Sequence, residues 1–286
     1  MPFAFLVFLI KFMVKLLVEN FRLLFISFKK NFYLICQLGK RQISGRYRGS
    51  FLGVLWSFIN PLLLLGIYAF VFGFVFQAKF GANLSGNKSD FAIILFTGLI
   101  IHQFFAECLS KAPDLVVSNA NYVKKIIFPL EILPWSVMFS ALFHLMISFI
   151  VLLLFYFSVH LSFYWTVIFF PLVLLPLVII TMGISWFLSA VGVFFRDMNQ
   201  FIGFIVTICL FLSPTFYPVT NIPLPFRYVL YLNPITFIIT QVRSVVLDGQ
   251  IPDWYGLSLY LLVAMVVAIL GLSWFQKVRH IFADTI

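Results

Sequence analysis

The sequence predicts an all-α integral membrane protein: six transmembrane helices, an N-terminal interfacial amphipathic helix, and re-entrant outer-face helices between spans five and six. Three observations support this. Of 286 residues, 63% are hydrophobic and 10% charged, where a soluble chain carries about 45–50% apolar and about 25% charged. So few polar side chains cannot cover a water-facing surface. Apolar runs recur along the chain, each near the roughly 20 residues that a helix needs to cross hydrocarbon. The basic residues are also distributed unevenly among the connecting segments, as they are when loops lie on opposite sides of a bilayer.

Residues 1–50 are expected to form a basic, cytoplasmic and interfacial segment, 51–276 the six-span domain, and 277–286 a cytoplasmic tail. Residues 3–10 are apolar, but Lys11 and Lys15 follow them. A signal peptide has its charges before the apolar run and a small-residue cleavage site after it. Lys11, Lys15, Glu19 and Arg22 are spaced four, four and three apart, which is one narrow stripe of a helix. Such a helix would lie among the headgroups. The other reading is a seventh crossing, against which stands the cost of charge near the bilayer centre.

The spans follow at 51–76, 91–109, 133–159, 165–195, 201–217 and 256–275. Pro61 interrupts the first, and Pro171 and Pro176 the fourth, so tilts or kinks are expected there. Residues 218–255 hold Pro218, Pro223, Pro225, Asn233-Pro234 and Pro252 between apolar stretches too short to cross. Broken helices at membrane depth need protein or a watery cavity around them, so a re-entrant element on the outer face fits. A structured outer loop resting on the membrane is the alternative.

Lysine and arginine set the orientation. Nine lie in residues 1–50, with Lys111, Lys124, Lys125, Arg196, Lys277 and Arg279 on the same side, fifteen in all. The opposite side has four: Lys79, Lys88, Arg227 and Arg243. Both termini are therefore expected in the cytoplasm. The net charge of +10 belongs to this topology, with the basic residues set among apolar runs, and no nucleic-acid partner is expected.

Several chemistries are excluded by pattern. Cys36, Cys108 and Cys209 lack the spacing of a disulfide framework or thiolate metal site, and the four histidines form no HExxH motif. Gly39-Lys40 is followed by Arg41 and has Leu34 where a phosphate-binding loop needs its first glycine. No enzyme activity, metal or cofactor is expected in this chain. The ionisable residues inside the spans are His102, Glu107 and His144. Glu107 is expected to snorkel or cap near the cytoplasmic end of its span, and His144 to hydrogen-bond between helices. Local spacing assembles no catalytic triad or carboxylate pair from them.

Two segments stand out as candidates for function. Thirty-nine Phe, eleven Tyr and six Trp exceed what lipid-facing helices need, although any one ring is explained by lipid contact or packing. Trp56, Asn60, Tyr68 and Phe72 share the span that the Asn60-Pro61 break interrupts and are candidate channel residues. Residues 112–131 carry Asn121, Tyr122, Lys124 and Lys125 before Pro129. A helix there would lie across the membrane face, as an anchor or as a docking element for a cytoplasmic partner.

Four patterns, in this order, resemble the permease subunit of polysaccharide-exporting ABC transporters, the type-two class that moves O-antigen, capsule or teichoic-acid polymers. They are Arg46-Tyr47-x-x-Ser50-x-Leu52-Gly53-x-x-Trp56 running into Asn60-Pro61; Thr97-Gly98-Leu99 through Pro129-Leu130-Glu131-Ile132-Leu133-Pro134; Phe194-Phe195-Arg196-Asp197 followed by Ser213-Pro214; and Asn233-Pro234. The resemblance implies a homodimer in the bacterial inner membrane, with two copies of a separate ATPase subunit that binds ATP and Mg. It implies that 112–131 is the coupling segment and 218–255 the outer gate, with Arg227, Asn233 and Pro234 as gate residues. It also implies that Arg46, Tyr47 and Arg48 lie at the portal for a polyprenyl-pyrophosphate-linked polysaccharide, where arginine suits bidentate phosphate contact. For Arg46 and Arg48, ordinary positive-inside residues are the alternative. Residues 1–30 are longer and more hydrophobic than that family pattern. Three other functions remain open: a small-molecule exporter of the same class, an ion-coupled secondary transporter, and a membrane-embedded transferase.

Overall fold

The computed structural model describes residues 29–71, 88–124, 128–219 and 222–286. The stripe at 11–22, Phe72, Lys79 and Lys125 lie outside the described residues. The described elements are helices α1 (Phe32–Arg46), α2 (Trp56–Tyr68), α3 (Lys88–Lys111), α4 (Ala120–Lys124), α5 (Leu133–His160), α6 (Phe170–Phe194), α7 (Met198–Phe211), α8 (Leu224–Tyr231), α9 (Pro234–Val246), α10 (Trp254–Val278) and α11 (Phe282–Thr285), with short 3-10 turns between them. No strand occurs among the described residues.

Among the described residues, five helical segments are long and apolar enough to cross a bilayer: Gly53–Val71, Ser89–Lys111, Leu130–His160, Trp165–Phe194 and Trp254–Thr285. A sixth arises if α8 and α9, bent by 99° at their junction, count as one broken span. The expected fifth span at 201–217 is corrected in its extent. Its helix, α7, runs Met198–Phe211, 14 residues, or about 21 Å at 1.5 Å per residue against a hydrocarbon core of about 30 Å. Pro214 explains the early stop, because the residue before a proline is pushed out of helical geometry. The expected kink at Pro171 is also corrected. Pro134, Pro171, Pro225 and Pro234 all sit at the first positions of their helices, where the missing N–H costs nothing. Pro61 and Pro176 are the ones inside helices.

Burial ranks the spans. Of the most apolar window in each, 83% is buried for α3 and 11% for α2. Helix α3 is thus the hub, packed by α2, α5, α6, α7 and α9, while α2 lies at the periphery against α5 and α3. His102 of α3 contacts the Val206 carbonyl of α7 through Nε2 at 3.0 Å, and the Asn233 amide donates to the Cys209 carbonyl at 2.7 Å. These bonds hold the short helix and the bend in one body.

The most extensive helix pair is α6 with α10. A Cβ on Gly183 would fall 2.5 Å from the Ala268 Cα, and one on Gly271 would strike the Gly183 carbonyl. Small residues let these backbones approach, as membrane helices require when hydrophobic association is absent. Gly183→Leu is expected to force the pair apart and cost about 1–3 kcal/mol through overpacking. Thermal unfolding in detergent should show the drop, with little change for Gly203→Leu, where a Cβ meets nothing within 4 Å.

Candidate functional site

Helix α1 buries Ile35, Gly39 and Ile43, four residues apart, against α5. Arg46 follows Ile43 by three residues and so continues that inward stripe. Its Nη1 donates to Glu107 Oε1 at 3.0 Å, and Lys111, one turn beyond Glu107 on α3, donates to the same oxygen at 2.7 Å. His144 of α5 lies 3.0 Å from Glu107 Oε2 through Nδ1, and 3.3 Å from the Tyr47 hydroxyl through Nε2. One tautomer serves both contacts: with the proton on Nδ1, the ring donates to the carboxylate and accepts from the phenol. Arg46 Nη1 also stands 3.1 Å from Nδ1, brought close by the oxygen partner next to it. Three helices therefore meet at one carboxylate.

The expectation that Glu107 snorkels to the interface is corrected. Its side chain is 10% exposed, against 45% for Arg46 and 38% for Lys111. A carboxylate withdrawn this far from water needs partners, and two cations and an imidazole supply them. His144 does hydrogen-bond between helices as expected, with charged partners. Burial pushes the Tyr47 phenol above its ordinary range; Arg46 opposes the shift and Glu107 adds to it. Arg48 is exposed and makes no side-chain hydrogen bond or ion pair among the described residues. The expected portal trio thus separates: Arg46 and Tyr47 are inside the cluster and Arg48 is outside it.

Two clefts flank the cluster. One of about 60 Å³ is lined by Arg46, Tyr47, Asn60, Gln103, Glu107 and His144, among others. It joins Asn60, expected in the channel, to two of the residues expected at the portal. Trp56 and Tyr68 are half-buried on α2 and do not line it. The other cleft, of about 480 Å³, takes Leu38, Arg41, Gln42 and Gly45 from a second stripe of α1, with Arg46 and Lys111 beside them. Arg46 borders both.

The segment expected to couple to a partner is tied to the rest of the protein at several points. Arg41 donates to the Tyr122 hydroxyl at 3.1 Å, and Tyr122 stacks on Phe128 with ring centroids 4.5 Å apart. Pro113 presses on Gly192 of α6, where a side chain would strike its carbonyl. Trp186 donates through its indole to the Glu131 carbonyl at 2.9 Å, and Arg279 pairs with the Glu131 carboxylate at 3.2 Å. Asn121 and Lys124 are exposed.

The expected gate residues occupy the bend. Asn233 caps α9, its side-chain oxygen accepting from the Ile235 N–H at 3.2 Å. The Pro234 carbonyl accepts from the Tyr260 hydroxyl at 2.6 Å, and Arg227 Nε donates to the Ile222 carbonyl at 2.8 Å.

Arg243, counted above as an outer-loop cation, is corrected: it is 8% exposed within α9. It donates to the carbonyls of Ile94, Pro214 and Thr215. Sequence reasoning missed this role and the meeting at Glu107. The only signal for the latter was that ionisable groups inside membrane helices are functional candidates by default.

The sequence model of a family described as ABC-2 type transporter matches residues 33–247. The chain is 30% identical over 257 residues to the O-antigen export system permease protein RfbA of Klebsiella pneumoniae, covering 88% of this chain and 95% of that protein. It is 28% identical over 255 residues to the protein of the same name from Myxococcus xanthus, with the same coverage.

Proposed function

The chain belongs to the ABC-2 type transporter family, and on that premise we propose that it is the membrane subunit of an ATP-driven exporter of lipid-linked polysaccharide. O-antigen is the first choice of cargo, with capsule and teichoic-acid polymers as its chemical relatives. The carrying observation is the match to relatives named O-antigen export permeases along 88% of this chain and 95% of theirs. A permease-type subunit of this family is not itself the ATPase, so ATP and Mg belong to a partner, two copies of which would serve a homodimer of this chain. The membrane is the bacterial inner membrane, with both termini cytoplasmic. The buried position of Arg243 supports that orientation by removing one cation from the outer loops. Six crossings result if α7 spans a locally thinned bilayer and α8–α9 folds back from the outer face.

In this scheme the polyprenyl pyrophosphate meets Arg46, Tyr47 and Arg48 on the cytoplasmic side. The polymer then passes residues such as Trp56, Asn60, Tyr68 and Phe72, and Arg227, Asn233 and Pro234 form the outer gate. Aromatic walls suit a sliding polymer, since sugar C–H faces stack on rings without every hydroxyl being fixed. Partner motion reaches the spans through Asn121, Tyr122, Lys124 and Lys125, and the ties from Tyr122 to α1 and from Glu131 to α6 and to Arg279, the residue that caps α10, give it a rigid path.

The test is purification of the tagged chain from its native cells in mild detergent, followed by an assay of ATP hydrolysis. An ATPase subunit in equal amount, with vanadate-sensitive activity, is expected. A chain that purifies alone and without hydrolysis would sink the proposal.

A further inference from the structure

Among the described residues, the charges around the larger cleft do not balance. Arg41, Arg46 and Lys111 line it, and Glu107 is the one carboxylate among the described residues that is bonded to any of them. Arg41 has the neutral Tyr122 hydroxyl for its partner. Glu107 itself does not line this cleft; it holds Arg46 and Lys111 from the far side. The two cations thus stand between a nearly buried carboxylate and an open space of about 480 Å³, within the size range of small-ligand sites. Gln42, Asn119 and Ser136 add neutral hydrogen-bonding groups to its wall.

We propose that this cleft binds an anion of the phosphate or diphosphate class and that Glu107 is its internal counter-ion, holding Arg46 and Lys111 until the anion takes them over. The exchange keeps both cations paired throughout. Arginine can turn its fork from one oxygen acceptor to another, and lysine acts as a mobile point charge. Release of Arg46 also removes the ion pair that ties the end of α1 to α3, so anion arrival and loss of that tie are one event. The anion has two possible sources, the diphosphate of a lipid-linked cargo and the headgroup of an anionic membrane lipid. The first rests on the exporter function proposed above; the site itself does not.

The experiment uses the full chain, with any ATPase subunit that co-purifies, in nanodiscs of zwitterionic lipid, and titrates inorganic pyrophosphate by calorimetry. E107Q is expected to bind about tenfold more tightly than the wild type, since one charged competitor for the donors is gone. The R41Q/K111Q double variant is expected to lose binding. So is G45F, because a Cβ at Gly45 meets nothing within 4 Å and the ring would occupy the cleft without disturbing the cluster. Unchanged or weaker binding in E107Q would overturn the counter-ion role, and wild-type binding in G45F would overturn the site. Should E107Q fail to fold, G45F still decides the site and K111Q alone decides the exchange, with loss of binding expected and wild-type binding overturning it.

Repeating the titration with phosphatidylglycerol in the discs separates the sources. Competition by that lipid supports the site with a headgroup as its occupant, and indifference to it supports the site with a diphosphate. A chain that purifies without an ATPase yet binds pyrophosphate in this pattern would remove the exporter function and leave the anion site standing.

Discussion

Arg243→Leu is expected to remove about 3–5 kcal/mol of stability, enough to leave little folded protein after extraction in detergent. The guanidinium donates through Nε and Nη2 to the Ile94 carbonyl, at 3.2 and 2.8 Å, and through Nη2 to the Thr215 carbonyl at 3.0 Å. Nη1 donates to the Pro214 carbonyl at 2.5 Å. One side chain therefore joins α9 to α3 and to the turn that ends α7. Leucine fills part of the volume and leaves those carbonyls without their charged donor, at about 1–3 kcal/mol for each buried group left unsatisfied. Arg243→Lys should recover only part of the loss, because a compact ammonium cannot reproduce the planar fork. Gly98 belongs to the same device: a Cβ there would lie 3.0 Å from Arg243 Nη2, so α3 needs a glycine where the guanidinium passes. Thermal unfolding followed by size-exclusion checks the order wild type, lysine, leucine. An unchanged midpoint for the leucine variant would show that the bonds contribute nothing net.

Reversing charge at Lys124 and Lys125 to Glu should abolish polymer export while leaving the protein folded in the membrane. Lys124 is exposed at the end of α4, and exposed substitutions ordinarily change stability by no more than about 0.5 kcal/mol. The ties that fix the segment, Arg41 to Tyr122, Trp186 to the Glu131 carbonyl and Arg279 to the Glu131 carboxylate, involve neither lysine. The double variant thus reverses charge on the segment proposed to meet an ATPase and leaves those three ties in place. The readouts are surface polysaccharide, the amount of ATPase subunit co-purified, and the unfolding temperature. Full export by the double variant would remove this segment from the coupling path.

Residues set close in sequence were legible without coordinates. The amphipathic character of 112–131 and the interruption of 218–255 follow from their prolines and short apolar stretches. The end of α7 could have been anticipated from Pro214, had the apolar run to 217 not outweighed it. Pro171 was misplaced for a related reason: apolarity says where a chain enters hydrocarbon, and only the hydrogen-bonding pattern says where the α-helix begins.

By itself the sequence determined the solvent of this protein, its helical class, the positions of its long spans and the asymmetry of its cations. Those properties depend on composition and on runs of about 20 residues, and the bilayer acts on them directly by excluding unpaired backbone and charge. The tertiary structure alone decided which polar groups meet. Arg46, Glu107 and His144 are separated by 61, 37 and 98 positions, and Arg243 reaches back 149 positions to Ile94. Each of these residues by itself is an expensive ionisable or polar group near hydrocarbon, and nothing local says what compensates it. Helix packing brings the partners within hydrogen-bonding distance, and that distance turns scattered charges into a cluster, a cleft and a buried staple.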